Sequence, residues 1–160
     1  IEYKTAVLVG AAMKMGAIVA ETSDENADLI YDFGLNLGIA FQLQDDYLDA
    51  FGNPETFGKQ VGGDIIENKK TYLYLKAMEF ANEEDQQQLL HLFSIQPTDN
   101  NDKIESVKTI FNVSGASEAT KKAIQDYTFK AFETLEKMDI ENEKKAILKA
   151  FGENLMGRNV

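Results

Sequence analysis

Leu29-Ile30-Tyr31-Asp32-Phe33-Gly34-Leu35-Asn36-Leu37-Gly38-Ile39-Ala40-Phe41-Gln42-Leu43-Gln44-Asp45-Asp46-Tyr47-Leu48-Asp49-Ala50-Phe51 is the stretch on which the fold turns. Its apolar residues occupy most faces of a helix. A helix that is apolar nearly all round belongs at the centre of its fold. The pattern predicts one long central helix over 24–51, with Thr22, Ser23 and Asp24 breaking the helix before it and capping this one.

Working outward, every other periodic segment is also helical. A first helix covers about 2–21. Residues 52–63 hold four of the eleven glycines, plus Pro54, and read as a loop. Asn68 is expected to cap a third helix reaching about Ala81. A short helix follows over 83–93, then a polar loop over 96–102. Helices near 103–112, 117–138 and 141–155 complete the chain. No segment sustains an apolar–polar alternation that would support a strand. The fold class expected is all-α, a helical bundle.

Composition narrows the function. The chain has 160 residues, 44% of them hydrophobic, which suits one globular domain or a large part of one. Acidic residues number 27 against 16 basic, a formal net charge of -11. Such a chain is repelled by phosphate backbones and anionic lipid, so nucleic acid and anionic membrane surfaces are poor partners. There is no cysteine and one histidine, His91. Disulfides, thiolate zinc sites and multi-histidine metal sites are therefore excluded, and a reducing, cytoplasmic setting is expected. The best apolar run, Ala6 to Met13, ends at Lys14 and is far too short to span a bilayer. The sequence opens on Ile1 and is already helical in pattern by Lys4, which points to a chain beginning inside a helix of a larger structure.

The central helix also carries the chemistry. At about 100° per residue, Asp45, Asp49 and Asp46 fall at roughly 0°, 40° and 100° of one arc, with Gln42 at about 60°. Gly34 and Gly38 lie on the same arc, one and two turns above. Three carboxylates this close repel one another, and burial raises the cost. A hard cation would compensate, and Mg²⁺ typically takes one or two carboxylates and completes its shell with water and phosphate oxygens. On these residues alone, a Mg²⁺–diphosphate site and a solvated acidic face stand about even.

A diphosphate also needs cationic donors. Lys59 lies in the glycine-rich Phe57-Gly58-Lys59-Gln60-Val61-Gly62-Gly63-Asp64, which could fold over a phosphate or be an exposed linker. Lys69 and Lys70 follow Asn68 and are expected in a helix's first turn, where they oppose the dipole and an anion would reconcile them. Lys4-Thr5 sets an ammonium beside a hydroxyl, which by itself says little.

Phe41-Gln42-Leu43-Gln44-Asp45-Asp46-Tyr47-Leu48-Asp49 resembles the second aspartate-rich motif of the trans-isoprenyl diphosphate synthases, the polyprenyl synthetases. Tyr3-Lys4-Thr5-Ala6 resembles their upstream Lys-Thr element. Gly58-Lys59, Gly63-Asp64-Ile65 and Asn68-Lys69-Lys70-Thr71-Tyr72 resemble the downstream elements, in order and at the expected spacing. Arg158 resembles a basic residue at the family's carboxyl terminus. The strong part runs from Tyr3 to Leu75.

The resemblance implies an isoprenoid-synthase helical bundle in which Asp45, Asp46 and Asp49 hold Mg²⁺ bridging an allylic diphosphate. It implies that Lys4, Lys59 and Lys69 grip that diphosphate, and that Thr5 and Gln42, with Lys4, line the reacting carbon. Asp64 would support the site from behind. The implied reaction is ionisation of the allylic diphosphate, attack by the alkene of isopentenyl diphosphate, and loss of a proton. The spare apolar arc above the aspartates would hold the growing prenyl tail. A homodimer and a short product, farnesyl or geranylgeranyl diphosphate, are expected, with no nucleic acid partner and no membrane insertion.

The family's first aspartate-rich motif and its amino-terminal isopentenyl diphosphate ligands have no counterpart here. The 160 residues therefore read as the carboxyl-terminal part of one isoprenoid synthase domain, inactive when isolated. The alternatives are a non-catalytic regulatory subunit of the same fold and an unrelated helical cation-binding or interaction domain.

Overall fold

The computed structural model of the chain describes residues 2–53 and 61–157, and among these every regular element is a helix. A π-helical turn, Glu2–Ala6, leads into α1 (Val7–Val19). The long helix α2 follows at Asp24–Phe51, then a four-residue α3 at Gly63–Ile66. The remainder is α4 (Tyr72–Phe80), α5 (Glu83–Leu92), α6 (Asn101–Val113), α7 (Ala116–Lys137) and α8 (Asn142–Met156). No helix among the described residues is long and apolar enough to cross a membrane.

Helix α2 begins as expected. The Ser23 hydroxyl accepts the Asn26 N–H at 3.3 Å, covering one of the donors a helix start leaves open. Exposure on α2 is confined to Asp24, Glu25, Asp28 and Asp32; from Phe33 to Gly52 no residue is exposed. The all-α expectation and the buried helix therefore hold.

The chain resolves into two compact units, and α2 contributes to both. The first comprises Ile1–Gln44 and Ala123–Arg158. Its core packs Ile30, Phe33 and Leu37 of α2 with Ala131 and Leu135 of α7 and Met138 just beyond it. Asn26 clamps the chain after α7, donating to the Asp139 carbonyl at 2.9 Å and accepting the Asp139 N–H at 3.0 Å.

Helices α1 and α2 approach almost backbone to backbone. A Cβ on Gly34 would lie 2.9 Å from Met13 Sδ and 3.0 Å from Gly10 Cα; on Gly38 it would lie 2.8 Å from Ala6 Cα. At Gly38 the obstacle is backbone, so only glycine fits without a shift; at Gly34 the first obstacle is the flexible Met13 side chain, with Gly10 backbone close behind. The glycine arc of α2 is thus filled by the chain of the π-helical turn and α1, Ala6 to Met13.

The second unit is Asp45–Lys122. Leu73, Tyr74 and Ala77 of α4 pack with Leu89 of α5 and Val107 and Phe111 of α6. Here the structure departs from expectation in two places. The loop expected over 52–63 ends in an unexpected helical turn, Gly63–Ile66, entered through Gly62 at φ 85°. Asn68 does not cap the next helix. It sits left-handed at φ 57°, and α4 begins at Tyr72 with Thr71 as its extended N-cap. Lys69 and Lys70 thus precede the helix and are not in its first turn.

Candidate functional site

In the first unit, Lys4 and Thr5 lie in the π-helical turn. Such turns widen a helix locally and recur at functional sites. The Thr5 hydroxyl donates to Gln42 Oε1 at 3.2 Å, which joins two of the residues assigned to the reacting carbon. Lys4 is exposed and Ala6 is fully buried. The close approach at Gly38 brings this turn onto α2 beside Gln42.

In the second unit, Asp45, Asp46 and Asp49 are half-buried at the end of α2. Asp49 is tied to the turn that follows: its Oδ2 accepts the Asp64 N–H at 2.8 Å, and its carbonyl accepts the Gly62 N–H at 2.6 Å. Gly63 lets the carboxylate in, since a Cβ there would lie 3.1 Å from Asp49 Oδ1. Helix α3 has no side-chain cap of its own. Asp49 supplies one from fourteen residues upstream of Gly63. Burial pushes the Asp49 carboxyl above its ordinary pKa; the Asp64 N–H opposes this, the Asp64 charge adds to it, Lys69 opposes it and Asp45 adds to it.

Lys69 bonds Asp64 Oδ1 at 2.8 Å and Glu67 Oε2 at 2.7 Å. Those two carboxylates hold its ammonium well above the ordinary lysine pKa. Asp64 thus links Asp49 to Lys69, through its N–H on one side and its carboxylate on the other. Glu67, which the sequence reading did not assign, is the second partner of Lys69. The signal for it was weak, because one more glutamate in an acidic chain is unremarkable. Lys59 and Arg158 lie outside the described residues.

The donor set suits a hard divalent cation: carboxylate oxygens on one turn of helix, one of them carrying a raised pKa that a cation would relieve. Among the described residues, no group of three or more carboxylate or imidazole side chains is arranged to hold a metal by itself. The arrangement fits a cation that takes one or two carboxylates and draws its other ligands from water and phosphate.

A family profile described as polyprenyl synthetase matches residues 1–112. The short chain isoprenyl diphosphate synthase of Methanothermobacter thermautotrophicus is 36% identical over 144 residues, 90% of this chain and 43% of that protein. A crystal structure of a geranylgeranyl pyrophosphate synthase superposes on all of this chain and 50% of its own, with a TM-score of 0.90 and 51% identity. A geranylgeranyl pyrophosphate synthase from Corynebacterium glutamicum, crystallised with isoprenyl diphosphate and magnesium, covers 99% of this chain and 45% of its own, with a TM-score of 0.85 and 28% identity. The chain spans about half the length of the proteins it matches. On the extent of the profile match and the shared helical fold, the chain belongs to the polyprenyl synthetase family.

Proposed function

We propose that the whole protein is a prenyltransferase that condenses isopentenyl diphosphate with an allylic diphosphate, and that this chain supplies its second aspartate-rich wall. The observation that carries the reading is the linked set Asp49, Asp64 and Lys69, which holds carboxylates and an ammonium together at one helix end. A bare cation buffer gains nothing from an ammonium beside its carboxylates. A diphosphate site needs both signs.

In this reading Asp45, Asp46 and Asp49 hold Mg²⁺, which when bound neutralises the leaving diphosphate. Lys69 exchanges Asp64 and Glu67 for phosphate oxygens, with Lys4 and Lys59 as further donors. Asp64 holds the Lys69 ammonium in place when no phosphate is present. Thr5 orients Gln42 through their hydrogen bond, and the two line the carbon at which bonds break and form. Names of the relatives, short chain isoprenyl and geranylgeranyl diphosphate synthases, support a short product. We further propose a cytoplasmic homodimer. The exposed Leu8, Met15, Ile18 and Val19 of α1 support a protein partner for that helix.

The test is condensation by the full-length protein, with labelled isopentenyl diphosphate, an allylic diphosphate and Mg²⁺. Chain-elongated product that disappears on chelation is expected. Absence of product with geranyl, farnesyl and dimethylallyl primers alike would leave the fold without this activity.

A further inference from the structure

Lys103 of α6 is 3% exposed. Its ammonium donates to Asn68 Oδ1 at 2.6 Å and to the Ile95 carbonyl at 3.0 Å, both uncharged acceptors. Burial holds its pKa below that of an ordinary lysine. A buried cation without a carboxylate partner is costly, and an apolar side chain of the same length would fill the space without that cost. What the ammonium contributes is geometry.

Asn68 is the residue it grips, and Asn68 is left-handed at φ 57°. Asparagine tolerates that conformation better than most residues, but it still costs something that surrounding contacts must offset. Asn68 also donates through Nδ2 to the Ile95 carbonyl at 3.3 Å and through its N–H to the Ile65 carbonyl at 3.1 Å. It lies in the turn that links α3 to α4. Immediately beyond it, the Lys69 N–H bonds the Asp64 carbonyl at 2.9 Å, and the Lys69 ammonium meets the Asp64 carboxylate. A residue that left the left-handed region at position 68 would swing Lys69 away from Asp64.

We propose that Lys103 is a positioning residue for the diphosphate site: its buried ammonium pins Asn68 in the left-handed turn that aims Lys69. The proposal rests on the reading of Lys69 as a phosphate ligand. Lys103 touches no substrate in this scheme and acts through Asn68 alone.

Steady-state kinetics of the full-length synthase test it. Lys103→Met keeps the buried stem and removes the ammonium. It is expected to raise KM for the allylic diphosphate about tenfold, the low end of what losing a supporting partner costs a site, with KM for isopentenyl diphosphate unchanged. Combined with Lys69→Ala, it should add nothing to the defect of Lys69→Ala alone, because both act through one side chain. Asn68→Gly keeps the left-handed backbone accessible, removes the anchor, and should reproduce the KM rise. A lowered Tm with KM unchanged in both Lys103→Met and Asn68→Gly overturns the proposal, as does failure of both to fold; either result makes Lys103 purely structural. If Lys69→Ala itself leaves the allylic KM unchanged, the phosphate reading of Lys69 fails and the proposal fails with it. If only Lys69→Ala raises KM, the positioning role alone is lost.

Discussion

Asp49 Oδ2 accepts the Asp64 N–H at 2.8 Å, so one carboxylate of the aspartate triplet also caps the helical turn that presents Asp64 to Lys69. The two roles separate by substitution. Asp49→Asn keeps an acceptor for the Asp64 N–H and should be at least as stable as the wild type, because burial disfavours the charge it removes. Asp49→Ala leaves that N–H open and should be less stable than Asp49→Asn by about 1 kcal/mol. Both should weaken Mg²⁺-dependent turnover. Urea unfolding beside initial rates checks the pair; equal stability of the two variants would remove the capping role.

Replacing Asp45 tests the metal role without touching that cap. Asp45→Ala should cost about 10²-fold or more in rate, the scale of one strong electrostatic contact at a reacting centre. Stability in chelator should hold or rise, since like charges repel when no cation lies between them. Unfolding with an unchanged rate in the surviving enzyme would make the triplet structural.

The approach of α1 to α2 is tested by a glycine pair. Gly38→Ala places a Cβ 2.8 Å from Ala6 Cα, a backbone atom that cannot step aside alone. It should cost about 1–3 kcal/mol and stretch the Thr5–Gln42 hydrogen bond, lowering turnover as well. Gly16→Ala meets nothing within 4 Å and, as a helix interior position, should be neutral or stabilising by about 0.5–1 kcal/mol. Thermal unfolding of both variants decides the contrast.

Lys103 makes stability depend on pH in a defined direction. Its folded pKa lies below 10.5, so unfolding takes up a proton in the window between the folded value and 10.5. Stability attributable to this group therefore rises with pH through that window, and its destabilising effect is present in full below it. Relative to Lys103→Met, the wild type should gain stability as pH climbs toward 10.5. A flat difference in denaturant midpoints across that range would count against a buried ammonium.

Much of this was legible because it is periodic. Twelve large apolar residues between Leu29 and Phe51 leave a helix no solvent face, and from Phe33 to Gly52 the chain has none exposed. The aspartates at 45, 46 and 49 fall on one arc by helix geometry alone. Helices α5 to α8 lie within two residues of their expected ends, since their apolar spacing keeps the helical period.

What failed was decided by partners distant in sequence. The helical turn at 63–66 is not expected from the sequence because its cap is Asp49, and nothing in Gly62-Gly63-Asp64 reveals a carboxylate arriving from the previous helix. Asn68 carries the sequence marks of a helix cap, yet in the tertiary structure it is a left-handed elbow whose side chain bonds a buried lysine thirty-five residues later. Gly34 and Gly38 mark a small arc in any helical wheel, yet which backbone packs against that arc is not written in the wheel. Sequence alone determined the class of elements and the identity of the chemical groups, because both follow from local spacing. Which of those groups meet, and which carboxylate caps or pairs, was settled only by helix packing that brings distant residues within hydrogen-bond reach.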